Sequence, residues 1–211
     1  HINNGDGTFA TATQYAFTTT GGRHTSIEAV DFDGDGVPEV AINDNYRNEL
    51  FVLDYDRQTG VFSETQKIST GNAPQLTENL DVDNDGDIDL AVLSGTSTLT
   101  IYKNDGTGSF GNPWLIESLG VPNAIAAGDI DQDGDQDLVV SFVLTDKVLA
   151  VLGNDGTGVF SVGQQLPLED DTNHNDISLD DLNQDGWLDI VHVQGESSRV
   201  TVYENTDGLF N

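Results

Sequence analysis

The chain contains no cysteine and no methionine, and only 7 Lys or Arg residues stand against 37 Asp or Glu among its 211 positions. Without cysteine there is no disulfide framework, thiol nucleophile or Cys-ligated zinc. The difference 7 − 37 leaves a formal charge of −30. A field of that sign repels phosphate backbones and anionic lipid, which argues against a nucleic-acid binder or a peripheral membrane protein. Cations are the natural partners. Long apolar runs are missing too: nothing approaches the roughly 18 residues a spanning helix needs, and no basic-then-apolar leader opens the chain. A soluble, mature or excised piece is expected. Hydrophobic residues still make up 36%, enough for a substantial core in one or two domains.

The acids that are present are clustered. Four nine-residue windows, 31–39, 81–89, 129–137 and 181–189, hold 17 of the 37. They read DFDGDGVPE, DVDNDGDID, DIDQDGDQD and DLNQDGWLD, and their starts lie 50, 48 and 52 positions apart. A period of about 50 residues marks a repeat architecture in which each unit buries its apolar face against the next.

Each window is preceded by a short strand signal (Ile27–Val30, Leu80–Val82, Ile125–Ala127, Ile177–Leu179) and followed by a β-branched stretch (Val40–Ile42, Leu90–Leu93, Leu138–Val140, Ile190–Val193). After a turn comes a second such stretch (Leu50–Leu53, Leu99–Tyr102, Val148–Leu152, Val200–Tyr203). A glycine turn ending in Phe then follows, as in Asn104-Asp105-Gly106-Thr107-Gly108-Ser109-Phe110 and Asn154-Asp155-Gly156-Thr157-Gly158-Val159-Phe160, with Asp56–Phe62 substituting in the first unit. A more polar fourth strand should follow the Phe. No segment carries a useful 3.6-residue period. Four antiparallel strands per repeat predict an all-β chain of about four β-propeller blades, one domain over 1–211 with repeats starting near 27, 77, 125 and 177.

Four carboxylates at positions 1, 3, 5 and 9 of one tight loop repel one another. Near 5 Å and an effective dielectric near 20, each pair costs roughly 3 kcal/mol, and six pairs roughly 20 kcal/mol. Either the loop opens to water or a multivalent cation sits at its centre. The Gly at position 6 (Gly36, Gly86, Gly134, Gly186) permits the bend that would bring in a carbonyl from position 7. Hard oxygen donors in a flexible set suit calcium, whereas magnesium wants a stricter octahedron and softer metals prefer His or Cys. An EF-hand is excluded, because position 12 is Ile42, Val92, Val140 and His192 rather than a bidentate Glu.

The pattern D-x-D-x-D-G-x-x-D-[LI]-x-V, with N-D-G-x-G-x-F farther on, resembles the FG-GAP/VCBS repeats of calcium-binding β-propellers, the kind of repeat in integrin-α-like propellers. The resemblance covers essentially the whole chain in four copies. It implies as ligands Asp31, Asp33, Asp35 and Glu39; Asp81, Asp83, Asp85 and Asp89; Asp129, Asp131, Asp133 and Asp137; and Asp181, Asn183, Asp185 and Asp189, with carbonyls from Val37, Asp87, Asp135 and Trp187. About four Ca2+ ions are expected. Asn183 keeps an oxygen but loses a charge and Glu39 is one methylene longer, so the fourth site should be weaker and the first altered. Bare solvated turns are the competing reading.

The resemblance also implies a structural role for the ions, on the face away from the ligand loops. Millimolar calcium against a Kd of 10⁻⁴ M stabilises by roughly 1.4 kcal/mol per site. Such sites fill outside cells, so a secreted or cell-surface location is expected. Four ions add +8 to the −30 and leave −22. Both ends of the sequence encode the same glycine turn, so the chain reads as a fragment of a longer array or one partner of an assembled ring, with exposed edges inviting self-association.

Catalytic signals are scarce. His1, His24, His174 and His192 are the only histidines, and no H-E-x-x-H, G-x-S-x-G or P-loop spacing occurs. His1 reads as a boundary residue, and His192 as a satisfied or edge-facing imidazole in a strand. The paired acids recur in every unit, as structure demands and glycosidase chemistry does not. A non-enzymatic adhesion or recognition module is therefore expected, with a glycan or protein ligand. Its contacts would come from loops opposite the acidic windows, which carry Arg23, His24, Tyr46, Arg47, Asn173 and His174. The rivals are a purely structural scaffold and an accessory domain of a secreted enzyme.

Overall fold

In a computed structural model of the chain, the residues described are 5–9, 11, 14, 15, 22–95, 98–117, 120–143, 148–168, 174–194 and 199–211. Blade one comprises β1 (His24–Val30), β2 (Glu39–Asp44), β3 (Glu49–Asp56) and β4 (Val61–Ser69). Blade two comprises β5 (Pro74–Leu80), β6 (Asp89–Ser94), β7 (Thr98–Asn104) and β8 (Phe110–Glu117). Blade three comprises β9 (Val121–Gly128), β10 (Asp137–Val143), β11 (Val148–Asn154) and β12 (Phe160–Pro167). Blade four comprises β13 (His174–Asp180), β14 (Asp189–Gln194) and β15 (Arg199–Tyr203), followed by a short hairpin, β16 (Asn205–Thr206) and β17 (Leu209–Phe210). Each sheet is an antiparallel meander in sequence order. No helix occurs among the described residues. The inner strands begin three, six, four and three residues before the sequence signals at Ile27, Leu80, Ile125 and Ile177, and His24, Pro74 and His174 still pair with Asp44, Ser94 and Gln194 across a register shift.

The core lies between the blades. Leu138, Val140 and Phe142 of β10 pack with Ala91, Leu93 and Ile101 of blade two, while Val139 packs with Ile177 and Ile190 of blade four. Alternate side chains of a strand point to opposite faces, so a blade buried on both sides needs apolar residues at consecutive positions. That is why the second and third strands read as continuous β-branched runs. Leu90, Val92 and Tyr102 meet Phe32, Leu50 and Val52 in the same way at the first junction. In blade four the face that would meet a further neighbour is exposed: Val193, Val200 and Val202 are 37%, 66% and 44% accessible. Their register equivalents in blade two, Leu93, Leu99 and Ile101, are buried against blade three.

The innermost strands β1, β5, β9 and β13 lie side by side in succession. Acids of β1 and β13 act on Glu78 of β5. Burial first, then the Glu28 carboxylate, pushes Glu78 up to about 7, with Asp176 adding to the effect and a hydrogen bond from the Ala127 amide opposing it.

Candidate metal centres and recognition face

Every acidic window bridges an innermost strand and the second strand of its blade, so its geometry is fixed at both ends. The glycines at position 6 adopt φ of 83°, 92°, 96° and 96° at Gly36, Gly86, Gly134 and Gly186, the left-handed bend expected of them. A second left-handed residue sits at position 4, where Gly34 is joined by Asn84, Gln132 and Gln184 at φ of 57°, 61° and 62°. Sequence reasoning missed this bend, because glutamine gives no signal for it.

Together the two bends wrap the main chain around the acids. Asp31, Asp81, Asp129 and Asp181 each accept, through Oδ2, the amide of the position-6 glycine at 2.8, 3.0, 3.3 and 2.9 Å. Asp33, Asp131 and Asn183 accept the amide two residues on, and so do Asp35, Asp85, Asp133 and Asp185. Backbone amides thus occupy one carboxylate oxygen and leave its twin, and at Asp83 the Lys103 ammonium takes the place of the amide. Asp31 Oδ1, Asp81 Oδ1, Asp83 Oδ1 and Asp129 Oδ1 are buried and accept no hydrogen bond. A buried anionic oxygen without a partner is costly, and a cation is the partner that lone-pair donors of this type suit.

Three groups of acids place an oxygen from each member within 4.8 Å of one another: Asp31, Asp33, Asp35 and Glu39; Asp81, Asp83 and Asp85; and Asp129, Asp131 and Asp137. Among the described residues the fourth window forms no such group of acids, since Asn183 brings an amide in place of a carboxylate. Of the position-7 residues named for their carbonyls, Asp87 and Asp135 turn their carboxylates to the Gly106 and Gly156 turns, where a Cβ would come within 2.5 Å of Oδ2. Val37 and Trp187 donate their amides to Asp35 and Asp185.

The position-9 acids do more than line the loops. Asp89 accepts the Val82 amide at 2.9 Å and the Asn104 amide at 2.7 Å; Asp137 accepts those of Ile130 and Asn154; Asp189 accepts those of Leu182 and Asn205. Burial pushes Asp89 and Asp137 up to about 6, despite these hydrogen bonds and helped by neighbouring loop carboxylates. Glu39 accepts the Phe32 amide at 2.6 Å. Burial, together with Asp33 and Asp31, raises it as well.

The asparagines that receive Asp89, Asp137 and Asp189 carry a second role that the turn motif did not reveal. Asn104 Nδ2 donates to Phe32 O, Asn154 Nδ2 to Val82 O and Asn205 Nδ2 to Ile130 O, at 2.7, 2.9 and 2.9 Å. Each acceptor is position 2 of the preceding blade's acidic loop. Every such Asn therefore joins its own loop acid to the neighbouring loop. In blade one this register position is Tyr55, whose ring packs at a tilt of 45° against Phe62.

On the opposite face, Asp44 is fully buried and organises the turn after β2. It accepts the amides of Arg23, Tyr46 and Arg47 and pairs with the Arg47 guanidinium at 2.9 Å. Burial alone would raise Asp44, but the Arg47, Arg23 and Tyr46 hydrogen bonds outweigh it and hold the carboxyl below the usual range. Arg47 is thereby committed to Asp44, while Tyr46 stands 77% exposed. Arg23 lines a recess of about 410 Å³ with Thr25, Asn45, Ala73, Gln75, Leu76 and Asn123. His24 opens β1 opposite Asp44. His174 opens β13, and Asn173 lies outside the described residues. His192 is buried within β14.

Comparison with known proteins agrees with this architecture. No curated protein matches the chain. Solved structures do, among them one described as the crystal structure of BBS1N in complex with ARL6DN soaked with mercury and another described as the same complex soaked with lead. The first gives a TM-score of 0.60 at 15% identity, covering 90% of this chain and 53% of that one. The second gives 0.62 at 16%, covering 90% and 55%. The chain thus spans about half the length of the solved chains it matches, and at this identity the likeness concerns the fold alone. A family model described as FG-GAP-like repeat matches residues 1–42 and 81–140. The matched stretches carry the first three acidic windows, so over those residues the chain is FG-GAP-like in sequence, within blades arranged as in a β-propeller.

Proposed function

We propose that this chain is a calcium-stabilised, non-enzymatic β-propeller module of a larger secreted or cell-surface protein, used for adhesion or recognition. The observation that carries the reading is the recurrence of a buried carboxylate oxygen without a hydrogen-bond partner at position 1 of three loops, Asp31, Asp81 and Asp129. Calcium bound there would supply positive charge and bridge the start of β2, β6 or β10 to the end of the preceding strand. Asp31, Asp33, Asp35 and Glu39 would hold one ion, Asp81, Asp83, Asp85 and Asp89 a second, and Asp129, Asp131, Asp133 and Asp137 a third. Asp181, Asn183, Asp185 and Asp189 would hold the fourth and weakest, having one acid fewer. The carbonyls of Val37, Asp87, Asp135 and Trp187 would complete the sets.

Recognition would use the opposite face, around Arg23, His24, Tyr46, Arg47, Asn173 and His174. The Arg23 recess supports this, as a cation set among amides and a hydroxyl in a chain of formal charge −30. A protein ligand is favoured over a glycan because the solved neighbours are in complex with a second protein. The exposed Val193, Val200 and Val202 face would be covered by a further blade, from the rest of a longer chain or from a second copy. Calcium titrated into chelator-stripped protein, followed by thermal unfolding, tests the metal reading: a calcium-specific rise in melting temperature, absent with magnesium, is expected, and equal responses to both ions refute it.

A further inference from the structure

We infer that Lys103 is a resident counter-charge that lowers the calcium affinity of the second acidic loop and sets it below that of the third. The inference rests on the calcium reading of these loops. Lys103 Nζ lies 2.7 Å from Asp83 Oδ2 and donates to Thr157 O at 3.3 Å. The ammonium is thus clasped between the loop of blade two and the glycine turn of blade three, and a side chain at Gly158 would crowd it. Of the ion pairs among the described residues, Arg47–Asp44, Lys67–Glu49 and Lys103–Asp83, only the last touches an acidic window.

Strand register makes the placement comparable across blades. Leu53, Tyr102, Leu152 and Tyr203 pair with Val40, Leu90, Leu138 and Ile190, the residues that follow the position-9 acids. One residue further along stand Asp54, Lys103, Gly153 and Glu204. The same place therefore holds a negative charge in blade one, a positive one in blade two and no side chain in blade three. Asp54 shares a recess of about 230 Å³ with Asp33 and Glu39, but the Arg57 guanidinium donates to Gly36 O of the same loop, so the third loop is the cleaner comparison.

Lys103 leaves Asp83 Oδ1 buried and without a hydrogen-bond partner, so the loop keeps an oxygen for an ion while its charge is partly neutralised. Even at the dielectric of bulk water, which gives the smallest effect, a fixed positive charge about 5 Å from a divalent ion opposes binding by about tenfold. The same charge relieves repulsion among Asp81, Asp83 and Asp85 when no ion is bound. The second loop therefore holds its shape without calcium better than the third and gains less from it.

Calorimetric titration of calcium into the chelator-stripped 211-residue chain tests this, with Lys103→Met, Asp81→Asn and the double variant beside the unaltered protein. Lys103→Met should tighten one binding class by about tenfold and lower the melting temperature in chelator. In the Asp81→Asn background it should leave the remaining classes unchanged, and Lys103→Arg should behave as the unaltered protein does. Calcium uptake by the unaltered chain with unchanged or weaker binding in Lys103→Met overturns the role of Lys103 alone. No uptake by the unaltered chain overturns the calcium reading and this inference with it.

Discussion

Replacing Asn154 by Ala isolates the contribution of the latch between adjacent loops. Asn154 is 7% exposed. Its Nδ2 donates to Val82 O at 2.9 Å and Gln136 O at 3.1 Å, and its Oδ1 accepts the Gly158 amide at 3.2 Å. The Ala variant keeps the main-chain hydrogen bond to Asp137 but loses these three. At about 0.5–1.5 kcal/mol for each, with the buried Val82 carbonyl left unpaired, the loss should fall near 2–4 kcal/mol. For a chain of this size that corresponds to a drop in melting temperature of about 5–15 °C. Urea unfolding in chelator should show the midpoint falling at constant m-value, since the surface exposed on unfolding is little changed. Asn104→Ala should behave alike, because its side chain makes the matching hydrogen bonds to Phe32 O and Ile88 O. A loss below about 0.5 kcal/mol in both variants, the range of an ordinary surface substitution, would refute the latch.

Glu78 offers a pH dependence away from the acidic windows. Its folded value, about 7, stands above the roughly 4.3 of an unfolded glutamate, so the folded state holds a proton that the unfolded chain has released. The contribution of Glu78 is complete below about pH 4 and is lost as pH rises through 7; Glu78→Gln should flatten that part of the stability profile measured by denaturant titration. Gln184→Gly should raise the melting temperature by about 2–4 °C, because Gly adopts φ of 62° without the cost of about 1 kcal/mol borne by a side chain there. Asp44→Ala should destabilise by about 2–4 kcal/mol, leaving the Arg23, Tyr46 and Arg47 donors without their shared acceptor, and chemical denaturation checks it. Arg23→Ala should weaken capture of a protein ligand in a pull-down while leaving the melting temperature unchanged.

The sequence by itself determined the period, the strand-rich unit and the four acidic windows, because each is local chemistry. A Gly at a bend, alternate acids in a short loop and β-branched runs announce themselves residue by residue. The apolar runs announced strands, but that these strands are buried on both faces emerged only from the interleaved clusters around Val139 and Leu138. The latch was not legible in this way. Asn104 and Asn154 stand in a motif that a tight turn explains on its own, and their acceptors lie 72 positions away in the preceding blade. Asp44 and Lys103 were overlooked for the same reason, since an acid in a polar turn and a lysine ending a strand carry no distinctive local pattern. Tertiary structure decided which oxygens of each loop the backbone occupies and which it leaves buried without a donor. It also decided where a lone ammonium falls among them. Those outcomes depend on how neighbouring blades pack, and pair distances set by packing have no counterpart in spacing along the chain.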